Sequence, residues 1–219
     1  MRHWGLHYME ALIDSLVSRY PNLEDIRGTI TDAARLLIER LSAGNKILLC
    51  GNGGSAADAD HIVGELGKSF SVPRPLAPEI AKNLLEVDSD RGRYLTTVLQ
   101  TGIPAIALTH HTALTTAFSN DVDARAAFAQ QTLVYGRPGD VLWALSTSGN
   151  AENILLSAIT ARAIGMSVIG LTGTTGGSLA DYCDVCIRVP ESETYKVQEL
   201  HLPIYHLLCM ILEETLFTS

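Results

Sequence analysis

The feature that most constrains the fold is a short apolar run, residues 47–50, that ends in the turn Gly-Asn-Gly-Gly-Ser at 51–55. A helical pattern follows this turn at once and continues to Phe70. The segment is therefore predicted to be a buried strand, a tight turn and the N-terminus of a helix. Backbone N–H groups at such a helix start suit a bound anion. The glycines alone are a weak signal, because they match neither G-x-G-x-x-G nor a P-loop.

The rest of the chain alternates short apolar runs with helical patterns. Further strands are predicted at 104–108, 141–145, 166–171 and 185–189, and most of the segments between them read as helices. Two helices at about 8–42 precede the first strand, and a long helix at about 195–217 closes the chain. This alternation predicts an α/β fold: a three-layer sandwich in which a five-stranded parallel sheet has helices on both faces.

Composition sets limits on size and partners. We expect the 219 residues to form a single domain, 1–219, because they contain no repeat, linker or low-complexity segment. A hydrophobic content of 47% with 18% charged residues hints at oligomerisation. The net charge of −8 without a Lys/Arg cluster argues against direct nucleic-acid binding. No apolar run approaches the length of a membrane span, and the start lacks an apolar signal segment, so a cytoplasmic protein is expected.

The four cysteines give little evidence of redox or metal chemistry. Cys50 and Cys209 lie in apolar patterns and are predicted to be buried. Cys183 and Cys186 have the C-x-x-C spacing of a redox or zinc motif. The pair lacks a second pair and does not open a helix after a strand, so we do not favour either function.

Three loops that leave the carboxyl ends of predicted strands are rich in Gly, Ser, Thr and Asn: 51–55, 146–150 and 172–177. We call them the polar loops. In parallel sheets ligands bind at these ends, so the loops predict a small polar ligand that carries phosphate. Ser146, Thr147 and Ser148 offer hydroxyls at a helix start without a lysine. A simple N-cap cluster is the alternative, but the polar run exceeds what a cap needs.

Two helices carry candidate acid–base residues. His61 and Glu65 are one turn apart and share a helix face. Three interpretations are open: a catalytic pair, two metal ligands, or a hydrogen bond on the helix surface. The last helix carries Gln198 and His206, and a lone histidine in such an apolar run is more often a core residue. These two lie about 12 Å apart along the helix. A site that uses both is therefore extended or shared between chains.

Together these residues resemble the sugar isomerase (SIS) domain family. Within it, their order and spacing are similar to those of the bacterial phosphoheptose isomerases, over nearly the whole chain. The motifs that carry the resemblance are residues 50–55 with Asp58, His61 and Glu65, then 119–121, 146–150, 171–173 with 176–177, and 197–201 with His206. The resemblance implies the flavodoxin-like strand order.

The resemblance also implies an activity and roles for particular residues. The reaction is the isomerisation of sedoheptulose 7-phosphate through an enediol, in a homotetramer or in a dimer with shared sites. Glu65 would be the general base, with a pKa raised in a closed polar pocket, and His206 its acid–base partner. The implied substrate-binding residues are Asn52, Gly53, Gly54, Ser55, Asn120, Asp121, Ser146, Thr147, Ser148 and Gln198. Some members bind zinc, here through His61, Glu65, Gln198 and His206, and no nucleotide cofactor is expected.

Four departures from the family pattern bear on the substrate. Ala151 replaces a serine, Lys68-Ser69 stands where an arginine is expected, and Tyr195 replaces an acidic residue. Residues 76–102 resemble an insertion that could form a lid or wall and select a different sugar phosphate. A non-catalytic SIS protein that binds a sugar phosphate or a replication initiator is the alternative function. The presence of both Glu65 and His206 favours an enzyme.

Overall fold

The computed structural model describes residues 3–218, with side chains from residue 7 onward. Five parallel strands form one sheet in the order β2-β1-β3-β4-β5. The strands are β1 Ile47–Cys50, β2 Ala105–Ala107, β3 Val141–Ser146, β4 Ser167–Thr172 and β5 Val185–Arg188. The predicted parallel sheet and its flavodoxin-like order are confirmed.

Nine α-helices lie within the described residues. They are α1 His3–Arg19, α2 Arg27–Ser42, α3 Gly54–Gly67, α4 Pro78–Val87, α5 Ser89–Val98, α6 Thr112–Phe118, α7 Ala127–Tyr135, α8 Glu152–Ala163 and α9 Thr194–Phe217. Three 3-10 helices (Pro21–Ile26, Ala124–Ala126 and Gly177–Tyr182) and a π-turn at Ser119–Asp123 complete the helical segments of that part of the chain. Two of these helices, α4 and α5, lie in residues 76–102, the segment that resembles an insertion.

The strands divide their side chains between two cores. Leu49, Trp143 and Ile169 point to one face, where they pack with α1, α2, α3 and α9. Leu48 and Leu142 point to the opposite face, where they pack with α7 and α8. This alternation is the period of two expected for strands, and burial on both faces explains why the strands are continuously apolar.

Helix α9 is the central helix of the first core. Its length and its mean hydropathy of 1.2 over 18 residues are those of a membrane span, but 61% of that window is buried inside the protein. Its buried side chains pack against α1, α2 and α3. We therefore interpret its apolar character as that of a core helix.

Helices α4 and α5 form a hairpin that packs on itself. Asp88 caps α5 by accepting hydrogen bonds from the N–H groups of Asp90 and Arg91. Gly92 allows the two helices to approach closely, because a methyl group there would lie 2.2 Å from the Leu84 carbonyl oxygen. Helix α4 buries no side chain. Residues 76–102 thus contain a helical hairpin, and their status as an insertion stays a prediction.

Candidate active site

The first polar loop joins β1 to α3 through a strained glycine turn. Gly53 has a φ of +56°, and a methyl group at Gly51 would lie 2.4 Å from the Ser55 carbonyl oxygen. The Ser55 N–H donates to the Asn52 carbonyl at 3.0 Å, and Ser55 itself is buried. Two positions of this turn therefore require glycine, which leaves the first amides of α3 at the carboxyl end of the sheet.

Gln198 brings α9 to this loop. A methyl group at Gly54 would lie 2.5 Å from Gln198 Nε2. The side-chain amide of Gln198 therefore packs directly against the first turn of α3. The structure thereby brings Gln198 to Gly54 of the first polar loop, and both belong to the predicted substrate-binding set. Val197 and Leu200 on α9 are buried in the core and fix the helix at this point.

The second and third polar loops lock together through their backbones. Gly149 has a φ of +67°, and a methyl group there would lie 1.9 Å from the Gly176 carbonyl oxygen. Asn150 bridges the loops by accepting a hydrogen bond from the Ser178 N–H at 2.9 Å. Only glycine satisfies both the backbone angle and this contact, so the geometry of the second loop depends on the third.

The hydroxyls of the second loop do not cap a helix. The N-cap of α8 is Ala151, and no side chain bonds to the first amides of that helix. Ser146 Oγ accepts from the Gly149 N–H, and Ser148 Oγ accepts from the Asn150 N–H, both at 3.2 Å. The N-cap alternative for this serine and threonine run is therefore wrong. The Ser146 and Ser148 hydroxyl oxygens accept hydrogen bonds within the loop. Their O–H groups are therefore available to donate to a ligand.

Asn153 is a contact that the sequence analysis missed. Its side-chain amide pairs with that of Asn52 through two hydrogen bonds of 2.9 Å, one in each direction. This pair joins the first polar loop to the first turn of α8. The Asn52 amide, which the sequence analysis expects to bind a sugar hydroxyl, is thus hydrogen-bonded to the Asn153 side chain.

His61, Glu65 and His206 form a compact group between α3 and α9, which we call the His–Glu cluster. His61 Nε2 lies 3.2 Å from Glu65 Oε1 and 3.5 Å from His206 Nε2. The Glu65 side chain is 14% exposed, and its other oxygen accepts from Lys68 Nζ at 2.8 Å. The structure therefore assembles the predicted acid–base residues within one chain.

Tyr205 orients the cluster from behind and was not identified from the sequence. Its hydroxyl lies 3.0 Å from His61 Nδ1 and donates to Asp58 Oδ1 at 3.2 Å. Burial, followed by the charge of Asp58, raises the pKa of Tyr205, so the phenol stays protonated. The chain from Asp58 through Tyr205 to His61 restricts the imidazole to one orientation.

The ionisation of the cluster differs in one respect from the expectation. Burial acts to raise the pKa of Glu65, but the hydrogen bond and charge of Lys68, with a smaller effect of His61, outweigh it and lower the pKa. The predicted increase is therefore wrong, because the lysine that replaces the family's arginine binds the carboxylate. Burial and the neighbouring His61 lower the pKa of His206. At neutral pH Glu65 is ionised and His206 is neutral.

The four predicted zinc ligands do not come together. His61, Glu65 and His206 converge, but Gln198 lies on Gly54, about 10 Å back along α3 from His61. Within residues 3–218, no group of three or more His, Cys, Asp or Glu side chains is arranged to bind a metal ion. The imidazole and carboxylate donors are of the types that zinc accepts, although Glu65 already binds Lys68.

Asn120 and Asp121 lie apart from the polar loops. They occupy the exposed π-turn after α6, where Asn120 Nδ2 donates to Asp121 Oδ1 at 2.8 Å. Over the described part of the chain, this pair makes no hydrogen bond to any of the other predicted site residues. The predicted role of these two residues in sugar binding is thus unsupported by contacts within one chain.

The predicted burial of two cysteines is confirmed. Cys50 and Cys209 are fully buried, and burial raises the pKa of the Cys50 thiol to about 12. Cys183 and Cys186 are free thiols that lie side by side against Gly170. A hydrogen bond from Cys183 is the main cause that lowers the pKa of Cys186 to about 6.

The parallel sheet and its strand order define a protein of the flavodoxin-like α/β class, and comparison with known proteins gives the family. The chain belongs to the SIS domain family, whose model matches residues 7–94 and 90–173. It is 40% identical over 208 residues to the phosphoheptose isomerase of Rhodospirillum rubrum, which covers 95% of this chain and 97% of that one. Identity to the phosphoheptose isomerase of a Roseiflexus species is 38% over 214 residues, 98% of this chain and 94% of that one.

Solved structures agree with the sequence relatives. The phosphoheptose isomerase of Francisella tularensis superposes with a TM-score of 0.74 at 30% identity. That of Neisseria gonorrhoeae gives a TM-score of 0.72, also at 30% identity. Each comparison covers 95% of this chain and 98% of the other.

Proposed function

We propose that this protein is an intramolecular oxidoreductase that isomerises sedoheptulose 7-phosphate to D-glycero-D-manno-heptose 7-phosphate through an enediol. The observation that carries the proposal is the His–Glu cluster between α3 and α9, because α3 begins at the first polar loop. A helix start suits phosphate, and a Glu/His pair suits proton transfer next to a carbonyl. Identity of 40% to a phosphoheptose isomerase over 95% of the chain supports this assignment.

The polar loops bind the phosphate in this proposal. Ser55, Ser146, Thr147 and Ser148 donate hydroxyl protons, and the amides of the first turn of α3 complete the anion site. No lysine or arginine is needed, because a helix start already attracts negative charge. In this proposal Gln198 contacts a sugar hydroxyl near the anion site, which its contact with Gly54 in the first turn of α3 supports.

Glu65 moves the proton between the two sugar carbons. Its lowered pKa keeps the carboxylate ionised, so it is ready to take a proton from C1 of the ketose. Returning that proton to C2 of the enediol gives the aldose. His206 is neutral, and its ring nitrogens can pass the accompanying proton between the two sugar oxygens.

A zinc ion stays a separate proposal for the His–Glu cluster. It is supported by the donor types of His61, Glu65 and His206, while the position of Gln198 argues against the full set of four ligands. When bound, zinc would polarise a sugar oxygen. Activity that is unchanged in protein shown by elemental analysis to be metal-free would remove zinc from the mechanism.

Assembly into a homotetramer or dimer is also proposed, with sites shared between chains. Two observations support it: the His61 side chain is 42% exposed, and Asn120 and Asp121 reach no site residue within one described chain. His206 also lines a groove of about 300 Å³ between α1 and α9. Light scattering that gives a monomer mass at assay concentration would contradict shared sites. A cytoplasmic location stays a prediction for cell fractionation.

The decisive experiment is an isomerase assay with a panel of ketose phosphates, sedoheptulose 7-phosphate first. Wild type, Glu65→Gln and His206→Ala are compared for turnover and, by calorimetry, for binding. We expect both variants to bind the substrate and to lose turnover. A wild-type protein that binds a sugar phosphate but converts none of the panel would favour the non-catalytic alternative. Capture of a protein partner that survives Glu65→Gln would then support the adaptor function.

A further inference from the structure

Arg74 and Glu213 form an ion pair that is completely buried beside the His–Glu cluster. Both side chains are 0% exposed, and Arg74 Nε lies 2.6 Å from Glu213 Oε1. The carboxylate also accepts hydrogen bonds from the loop before Arg74. The donors are the N–H groups of Phe70 (2.7 Å), Ser71 (2.6 Å) and Val72 (3.1 Å) and the Ser71 hydroxyl (2.6 Å). A buried charge pair is therefore fully hydrogen-bonded, which burial requires.

Arg74 uses its remaining donors on the end of α3. Its Nη1 donates to the Leu66 carbonyl at 2.6 Å, and its Nη2 donates to the Glu65 carbonyl at 3.1 Å. Carbonyls in the last turn of a helix have no intrahelical partner, and α3 has no basic residue in its own last turn. Arg74 thus caps α3 at the very residue proposed as the general base.

Glu213 ties this cap to the helix that carries His206. The two residues are seven positions apart on α9, two turns along the same face. On that face, His206 contacts His61 of α3. Two turns further along, Glu213 binds the loop whose arginine caps α3. These two contacts together hold the distance between the backbones of Glu65 and His206.

The loop between the ion pair and α3 touches the cluster directly. Phe70 packs on His206 with ring centroids 5.5 Å apart, and its N–H donates to Glu213. Lys68, which bonds to Glu65, lies 5.9 Å from the centroid of the Phe70 ring. A change in the position of the loop would consequently move a neighbour of each acid–base residue.

We propose that Arg74 and Glu213 are positioning residues for the proton transfer between Glu65 and His206. Neither touches a reacting atom, and they act by holding the end of α3 and the loop at 68–74 against α9. This inference rests on the proposed function for its kinetic part. A purely structural ion pair would affect stability and leave the chemistry of the folded enzyme unchanged.

The test compares Arg74→Lys with the matched control Arg35→Lys. Lysine keeps the buried charge but lacks the planar fork that serves Glu213 and two carbonyls at once. We expect kcat to fall about 10- to 100-fold in folded Arg74→Lys with KM within about threefold, as for a misplaced catalytic group. Arg35 makes an exposed pair with Asp32 on α2, away from the proposed site, and its variant should match wild type.

Histidine NMR spectra at one fixed pH separate positioning from stability and need no turnover. The resonances of His61 and His206 should shift in Arg74→Lys, because the loop and the helix end that lie beside them move, and should stay unchanged in Arg35→Lys. These spectra test the positioning claim even if the wild type converts no sugar phosphate.

Ser71→Ala covers the case in which Arg74→Lys does not fold. It removes one hydrogen bond to Glu213 and keeps the ion pair, so we expect a fall in kcat of about two- to fivefold and small shifts of the same histidine resonances. Wild-type kcat and wild-type histidine spectra in folded Arg74→Lys would overturn the proposal. The same wild-type values in Ser71→Ala, with Arg74→Lys unfolded, would also overturn it and leave the pair a structural element.

Discussion

In the polar loops, glycine backbones lie against other backbone atoms, whereas in the His–Glu cluster the contacts are made by side chains from two helices. A methyl group at Gly149 would meet the Gly176 carbonyl oxygen at 1.9 Å. At the cluster, His61 of α3 lies 3.5 Å from His206 of α9 and 3.0 Å from the Tyr205 hydroxyl on the same helix. The loops are therefore set by local backbone geometry, and the cluster depends on how α3 and α9 pack.

The difference teaches how binding and chemistry are separated in this protein. Substitutions in the loops should affect the affinity for a phosphorylated ligand and the stability of the fold. Substitutions in the cluster should affect turnover, because its side chains are the proposed acid–base groups and lie outside the phosphate-binding loops. The proposed anion site at the start of α3 and the cluster two turns later are joined by one helix, so their distance is fixed.

The largest expected effect is that of Glu65→Gln on turnover. Loss of the only proposed carbon base should reduce kcat by about 10³-fold, since a positioned general base contributes about 10²- to 10⁴-fold. KM and the unfolding midpoint should stay close to wild type, because the side chain lies at the edge of the core. Steady-state kinetics and thermal unfolding measure both. Glu39→Gln, an exposed helix position, serves as the control, and equal kcat in the two variants would contradict the assignment.

Gly149→Ala should show the opposite pattern. The backbone angle and the contact with Gly176 both reject a methyl group, so we expect a loss of about 2–4 kcal/mol in unfolding free energy and a KM raised at least tenfold. Denaturant unfolding and kinetics measure these changes. Gly44→Ala has a similar positive φ of +85° with open space around it, and should cost only about 1 kcal/mol without changing KM. Equal effects of both variants would show that the contact between the loops is unimportant.

His201 lies on α9 between Gln198 and His206, and it links stability to pH. It is fully buried, and among the described residues its ring nitrogens lack a hydrogen bond of normal geometry. Burial lowers its pKa from 6.5 to about 4, against a weaker effect of the Thr172 backbone. Because the folded-state pKa is lower, the unfolded chain binds more protons below pH 6.5. Stability present above pH 6.5 is therefore lost as pH falls toward 4.

Denaturant unfolding between pH 7 and pH 4.5 tests this pH linkage. From the shift in pKa, His201 should account for about 2–3 kcal/mol of lost stability over that range. His201→Leu should abolish this part, and the wild-type and variant curves should differ in slope. Glu213, with a pKa lowered to about 2, acts in a separate window: its contribution is lost only below pH 4.5. Parallel curves for the two proteins would contradict the titration of a buried His201.

The smallest effect is expected for Asn153→Ala. It removes the amide pair with Asn52 at an exposed position, so the unfolding free energy should change by less than about 1 kcal/mol. KM should rise about two- to fivefold if Asn52 loses its orientation toward the sugar. Kinetics with the same substrate panel measure it. An unchanged KM would show that the loop is held by its glycines alone.

The sequence could predict the elements that depend on local patterns. Strands and helices follow from apolar periodicity, and the polar loops follow from glycine, serine and asparagine after each strand. His61 and Glu65 share a helix face at a spacing of four, so their pairing is also a local property. The fold class, the strand order implied by the family resemblance and the position of the loops were therefore all accessible before the structure.

Contacts between distant segments were decided only by the tertiary structure. Tyr205 meets His61 across 144 positions, and Arg74 meets Glu213 across 139. Whether Lys68 binds Glu65 depends on how the loop after α3 turns, and this contact reverses the expected pKa shift of Glu65. Gln198 and His206 share a helix, yet α9 crosses α3 so that one reaches its start and the other its middle. Periodicity specifies which face of a helix is buried, but only side-chain packing between helices specifies which residues meet.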